Sequence, residues 1–98
     1  MMNEAKIVEY LTELCEKLGI VVRFEPLATS GGLCDLRGRK TLFVGTACSR
    51  AEQIATICEA LSEADLEGIY ILPEVREVLE TQFRRIQAER LENEKGRN

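Results

Sequence analysis

Residues 33–45 read LCDLRGRKTLFVG, two short apolar runs separated by a glycine and basic residues. The flanks, residues 33–37 and 41–45, have the composition of β-strands. Residues 38–40 join them, so the stretch predicts a β-hairpin with a three-residue loop. This hairpin supplies two strands of the predicted sheet.

The pairing register of the hairpin follows from its apolar residues. With a three-residue loop, Leu36 faces Leu42. Two residues further along, Cys34 faces Val44. We therefore expect one continuous apolar face on the hairpin.

Three helices and a third strand surround the hairpin in the sequence. Apolar residues recur at helical spacing in residues 4–18, in residues 50–64 and from Pro73 onward. Residues 20–25, IVVRFE, are β-branched and aromatic and predict a strand. The order α-β-β-β-α-α predicts an α+β fold, a small, largely antiparallel three-stranded sheet with helices packed on one face.

The 98-residue length suits one domain. We expect that single α+β domain to span residues 1–86, because the apolar stripe of the last helix ends at Ile86. Residues 87–98 contain Leu91 as their one strongly apolar side chain. They predict a polar C-terminal helix end or a frayed tail.

Several classes of protein are disfavoured by composition. The longest apolar run, residues 69–72, is far shorter than the roughly 20 residues that cross a bilayer. The N-terminus lacks the apolar segment of a secretory signal, so we expect a cytoplasmic protein with no membrane partner. We do not expect nucleic acid as a partner, because the predicted hairpin tip carries only three cations.

The formal net charge of −4 is concentrated in residues 48–72. That segment holds Arg50 and five carboxylates, at Glu52, Glu59, Glu63, Asp65 and Glu67. Such a segment is either a solvated helix surface or a docking patch for a basic partner. Sequence leaves both interpretations open.

The chain contains no histidine. Without imidazole there is no Ser-His-Asp or Cys-His catalytic set and no usual zinc site. We therefore expect no enzymatic activity and no cofactor.

Four cysteines remain as candidates for chemistry, and none is spaced like a zinc or iron–sulfur motif. Cys15 and Cys58 lie on the apolar stripes of predicted helices, where a small apolar side chain suits the core. Cys34 and Cys48 lie outside the predicted helices, and Cys48 falls in the loop before the second helix. A cysteine-based metal or redox site built from Cys34, Cys48, Cys58 and Cys15 is therefore an alternative function.

One family resemblance involves most of residues 6–67. The segments KLGIVVRFEPL, GGLCDLRGRKTLFV and RAEQIATICEALSEADLEG, in that order, resemble the metallopeptidase-like domain of the ImmA/IrrE group. In that family the second helix carries H-E-x-x-H. The resemblance sets Glu59 at the general base, with Cys58 and Ser62 where the zinc-binding histidines stand. It implies an inactive relative, a degenerate metallopeptidase-like domain without hydrolase activity; alternatively, Cys58 is an ordinary core residue and Glu59 a surface one.

The function that the sequence favours is a non-enzymatic interaction or regulatory module. Its last helix carries more apolar residues than one small sheet is expected to cover. We expect this stripe to bind a protein partner or to mediate self-association, as in a homodimer. The stripe consists of Val75, Val78, Leu79, Phe83 and Ile86.

Overall fold

The computed structural model describes residues 2–96 and confirms the predicted order of elements. The elements are α1 (Glu4–Lys17), β1 (Val21–Glu25), β2 (Gly31–Leu36), β3 (Arg39–Gly45), α2 (Arg50–Leu61) and α3 (Pro73–Lys95).

Side-chain caps set the beginnings of the first two helices. The backbone N–H of Lys6 donates to Asn3 Oδ1 over 2.9 Å, and the N–H of Glu52 donates to Ser49 Oγ over 3.1 Å. Each contact satisfies a donor that the first helical turn leaves unpaired. Pro73 opens α3, where its missing N–H costs nothing.

The three strands lie in the order β1-β3-β2. β2 pairs with β3 antiparallel, whereas β1 pairs with β3 parallel, so the sheet is mixed rather than purely antiparallel. Residues 26–30 lead from β1 past the end of β3 to the opposite edge of the sheet. The Thr46 N–H donates to the Glu25 carbonyl (2.9 Å) and the Gly45 N–H to the Ser30 carbonyl (3.0 Å), which fixes this crossing.

The predicted hairpin register is wrong. Leu33, not Leu36, pairs with Leu42, and β2 and β3 are joined by two residues, Arg37 and Gly38. Both have positive φ, 55° and 79°, as a type I′ turn requires. Such a turn matches the strand twist better than the predicted three-residue loop.

This correction changes which side chains face the core. The observed pairing differs from the predicted one by three residues, and an odd shift reverses the faces of a strand. Leu33 therefore packs against the core, whereas Cys34 and Leu36 are exposed on the other face.

The helices form two further layers on one side of the sheet. α1 packs on β1, and α2 packs on β2 and β3. α3 packs on α2 and α1, away from the sheet. The central core residues with no exposed surface are Leu11, Cys15, Leu42, Val44, Ile57, Cys58, Leu61 and Val75.

The end of α3 extends beyond this core. The helix continues to Lys95, and residues 87–96 are all exposed. Residues 97 and 98 of the predicted tail, like Met1 of the predicted domain, lie outside the described residues. None of the helices within residues 2–96 is long and apolar enough to span a membrane.

Candidate functional site

One side of the sheet carries no helix within residues 2–96, since α1 and α2 both pack on the other side. We call this surface the bare face. Strand alternation assigns its members, which are Val21, Arg23, Glu25, Gly32, Cys34, Leu36, Arg39, Thr41 and Phe43. Arg37, in the hairpin turn, lies at its rim.

The bare face carries three apolar side chains. Leu36 is 45% exposed, and Val21 and Phe43 are half-buried. These three side chains are separate from the core cluster that the helices cover. Val21, Leu36 and Thr41 line a shallow depression of about 540 Å³ together with three arginines.

Those arginines make the bare face cationic. Arg23, Arg37 and Arg39 are all exposed and line the depression. Glu25 is the one carboxylate on the face, and its Oε1 lies 3.3 Å from Arg23 Nη2. Three cations and one anion thus occupy a single face of a chain whose net charge is −4.

Arg23 also contacts the aromatic residue of the face. Its guanidinium carbon lies 5.7 Å from the centroid of the Phe43 ring. Arg23 and Phe43 are register partners on β1 and β3, so the strand pairing brings them together. This cation–π contact explains why Phe43 is half-buried although no helix covers it.

Arg37 occupies a strained backbone position. It is the one residue other than glycine with positive φ in the described part of the chain. Asn, Asp and Gly are the residues that favour this position of a type I′ turn. An arginine here places a cation at the rim of the bare face at some cost in stability.

The four cysteines do not form one site. Cys15 and Cys58 lie near each other in the core, where Cys15 contributes to the raised pKa of the Cys58 thiol, whereas Cys34 and Cys48 are outside the core cluster. Cys15 and Cys58 are completely buried, where desolvation is the main cause that raises the pKa of each thiol to about 12. Cys34 is exposed on the bare face, and Cys48 is half-buried before α2. Among residues 2–96, no three cysteine or carboxylate side chains are placed to hold a metal ion.

The residues of the family resemblance do not come together at one site either. Glu59 is exposed and lines a cleft of about 210 Å³ between α2 and the start of β2, beside Glu63. Cys58 points into the core instead. The Ser62 hydroxyl donates to the Glu59 carbonyl over 2.6 Å, which is a local helix-end contact.

The apolar stripe of α3 is mostly covered by the chain itself. Val75, Leu79 and Ile86 are 0%, 2% and 5% exposed. Val78 and Phe83 are half-buried against the same core. The expectation that α3 has an uncovered stripe fails because α3 packs on α1 and α2, which bury three of its five residues.

Sequence reasoning missed the bare face because the predicted register turned Leu36 and Cys34 inward. The available signal was the dipeptide Arg37-Gly38, which suits a two-residue turn when its glycine occupies the second position. That turn would have set Leu36 and Arg39 on one outward face.

Comparison with known proteins adds no family to this picture. No protein-family model, curated protein or solved structure matches the chain.

Proposed function

We propose that this chain is a non-enzymatic, cytoplasmic protein-interaction module whose docking surface is the bare face. One observation carries the proposal: an exposed leucine, Leu36, lies among three arginines on a sheet surface that no helix covers within residues 2–96.

The composition of the bare face supports protein binding. Interfaces are enriched in arginine and aromatic residues, and their energy is concentrated in a few well-packed anchors. The bare face offers Arg23 and Phe43 in contact with each other, and Leu36 as an apolar anchor that lines the same depression as Arg23. Exposed apolar side chains flanked by polar ones are typical of a docking surface.

The candidate catalytic groups are better explained by structure. The Cys58 thiol is in the core with its pKa raised to about 12 by burial, so it is protonated at neutral pH. Glu59 is on the surface, and the chain has no histidine that could hold a metal ion beside it. This distribution supports a binding role.

Site-specific photocrosslinking in cells of the source organism tests the proposal. A benzophenone amino acid is placed at position 36 on the bare face, and in separate variants at Tyr70 and Leu91, which are exposed elsewhere. We expect position 36 to crosslink to one discrete protein, and we expect neither control position to crosslink to that protein. Equal crosslinking at all three positions, or crosslinking at the controls alone, would contradict a docking role for the bare face.

A second candidate function is the degenerate metallopeptidase-like scaffold. The observation that favours it is the place of Glu59 in a cleft beside an edge strand. It predicts no hydrolysis of unfolded casein, with or without added zinc. Hydrolysis by the wild type that is lost in Glu59→Gln would disprove the inactive scaffold and reveal an enzyme.

A further inference from the structure

Resting on the proposed function, we infer that the bare face binds an acidic protein segment, a short stretch of another protein in which carboxylates flank one or two apolar side chains. The apolar side chains occupy the depression around Leu36, and the carboxylates meet the surrounding arginines.

The arrangement of charge identifies the chemistry of the partner. Arg37 lies in the hairpin turn directly after Leu36, Arg39 is the register partner of Leu36 on β3, and Arg23 lies across β3 on the opposite edge strand. An apolar group seated on Leu36 therefore has cations on two sides. Guanidinium groups bind carboxylates through two parallel hydrogen bonds, which favours glutamate and aspartate in the bound segment.

The single carboxylate of the bare face does not reverse this preference. Glu25 pairs with Arg23 at 3.3 Å, at the end of β1 away from the hairpin turn. Arg37 and Arg39 form no ion pair within residues 2–96 and remain available to a partner.

The size of the bare face favours a segment over a second copy of the chain. Three strands about 4.8 Å apart and six residues long give an area of roughly 300 Å². A stable interface needs roughly 800 Å² from each partner. A two-fold pairing of bare faces would also bring arginines towards arginines, so charge disfavours it as well.

Nucleic acid fits the bare face less well than an acidic peptide does. Leu36 and Val21 in the depression offer nothing to a phosphate, and three arginines are few for a polyanion. The carboxylates of residues 48–72 add repulsion at longer range.

The test uses a displayed library of random 12-residue peptides, selected against the full chain. The Cys48→Ser background leaves Cys34 as the exposed thiol of the folded protein, so protection of Cys34 from alkylation reports binding at the bare face. Affinities are then measured by fluorescence anisotropy for the selected peptides and for single-stranded polyuridylate.

We expect the selected peptides to be acidic, to contain an aliphatic or aromatic residue, and to protect Cys34. Arg23→Glu and Arg39→Glu should each weaken their binding about tenfold or more, because each replaces an attractive charge with a repulsive one. Arg90→Glu makes the same charge change on the exposed end of α3 and should leave binding unchanged. Arg39→Gln provides a milder variant in case the charge reversal disturbs the hairpin.

The outcomes separate this inference from the proposed function. The selected peptides could instead be neutral or basic, protect Cys34 and bind the arginine variants as tightly as the wild type. That result would overturn the inference of an acidic partner but would leave the bare face as a docking surface. A failure to select any peptide that protects Cys34 would count against both the acidic partner and the proposed docking function of the bare face. Tighter binding of polyuridylate than of every selected peptide would also overturn the acidic protein segment in favour of nucleic acid.

Discussion

Replacing Gly31 with alanine tests the strand register on which the bare face depends. A Cβ at this position would collide with the carbonyl oxygen of Phe43 and lie 2.7 Å from its carbonyl carbon and 3.2 Å from Val44 Cα. All three are backbone atoms of β3, the central strand. They cannot move away from Gly31 without disturbing the pairing of β3 with its neighbours.

Two costs determine the size of the effect. Gly31 has φ of +111°, a conformation that costs a residue with a Cβ about 1–3 kcal/mol. Relief of the collision costs about another 1–3 kcal/mol, as for overpacked sites in general. We therefore expect Gly31→Ala to lower the free energy of unfolding by about 2–6 kcal/mol, a large part of a typical total of about 5–15 kcal/mol.

The adjacent residue provides a matched control. A Cβ at Gly32, on the bare face, meets no atom within 4 Å. Gly32→Ala should change the free energy of unfolding by less than about 1 kcal/mol, towards greater stability. Urea unfolding followed by circular dichroism measures both variants under one condition.

The result that would refute the reasoning is equal stability of the two variants. In the register predicted from sequence, Gly31 lies beyond the end of β3, where alanine is harmless. Equal unfolding midpoints would therefore contradict the observed register and, with it, the placement of Leu36 and Cys34 on the bare face.

Three further predictions concern the buried thiols, the turn and the C-terminus. Burial raises the pKa of the Cys15 and Cys58 thiols from 9.0 to about 12, so between pH 9 and pH 12 these thiols ionise in the unfolded chain but not in the folded one. Ionisation of each thiol in the unfolded chain should therefore lower the free energy of unfolding at pH 10 by about 1.4 kcal/mol relative to pH 7. Cys58→Ala should therefore lose less stability over that range than the wild type in urea titrations under reducing conditions, and an identical loss would contradict this. Arg37→Asn should raise the free energy of unfolding by about 0.5–1 kcal/mol, because asparagine tolerates positive φ; a decrease in thermal unfolding temperature would show that the turn is unstrained. Deletion of residues 90–98 should reduce the helical dichroism but cost less than about 1 kcal/mol, whereas loss of cooperative unfolding would assign that end of α3 to the core.

Local signals predicted the helices well because their ends depend on neighbouring residues. Asn3 and Ser49 cap α1 and α2, and α3 begins at Pro73, where the sequence predicted its start. α2 ends at Leu61, three residues before the predicted end at Ala64. Residues 62–64 continue only as turns, since no further apolar stripe residue holds them to the core.

The sheet was harder to predict because pairing is non-local. Apolar alternation locates a strand but carries no information on its direction, so the parallel pairing of β1 with β3 could not be inferred from residues 20–25. The hairpin register depended on a choice between a two-residue and a three-residue connection. That choice alone decided whether Leu36 faces the core or the solvent.

The candidate site could not be predicted from the sequence for the same reason, because it depends on strand pairing. Arg23 is distant in sequence from Arg37 and Arg39, and only the pairing of Arg23 with Phe43 and of Leu36 with Arg39 brings the three arginines onto one surface. The α3 stripe, by contrast, was visible in the sequence, but its covering by α1 and α2 was a property of the tertiary packing.

Alkylation of Cys34 in living cells tests the central claim most directly. In the Cys48→Ser background the labelling rate of Cys34 is compared between cells and the purified protein, with Leu91→Cys in a Cys34→Ser, Cys48→Ser chain as the exposed reference thiol. A bare face that a partner occupies nine-tenths of the time should label about ten times more slowly in cells, relative to the reference. Equal relative rates in cells and in the purified protein would mean that the bare face is free, and would contradict its role as a docking surface.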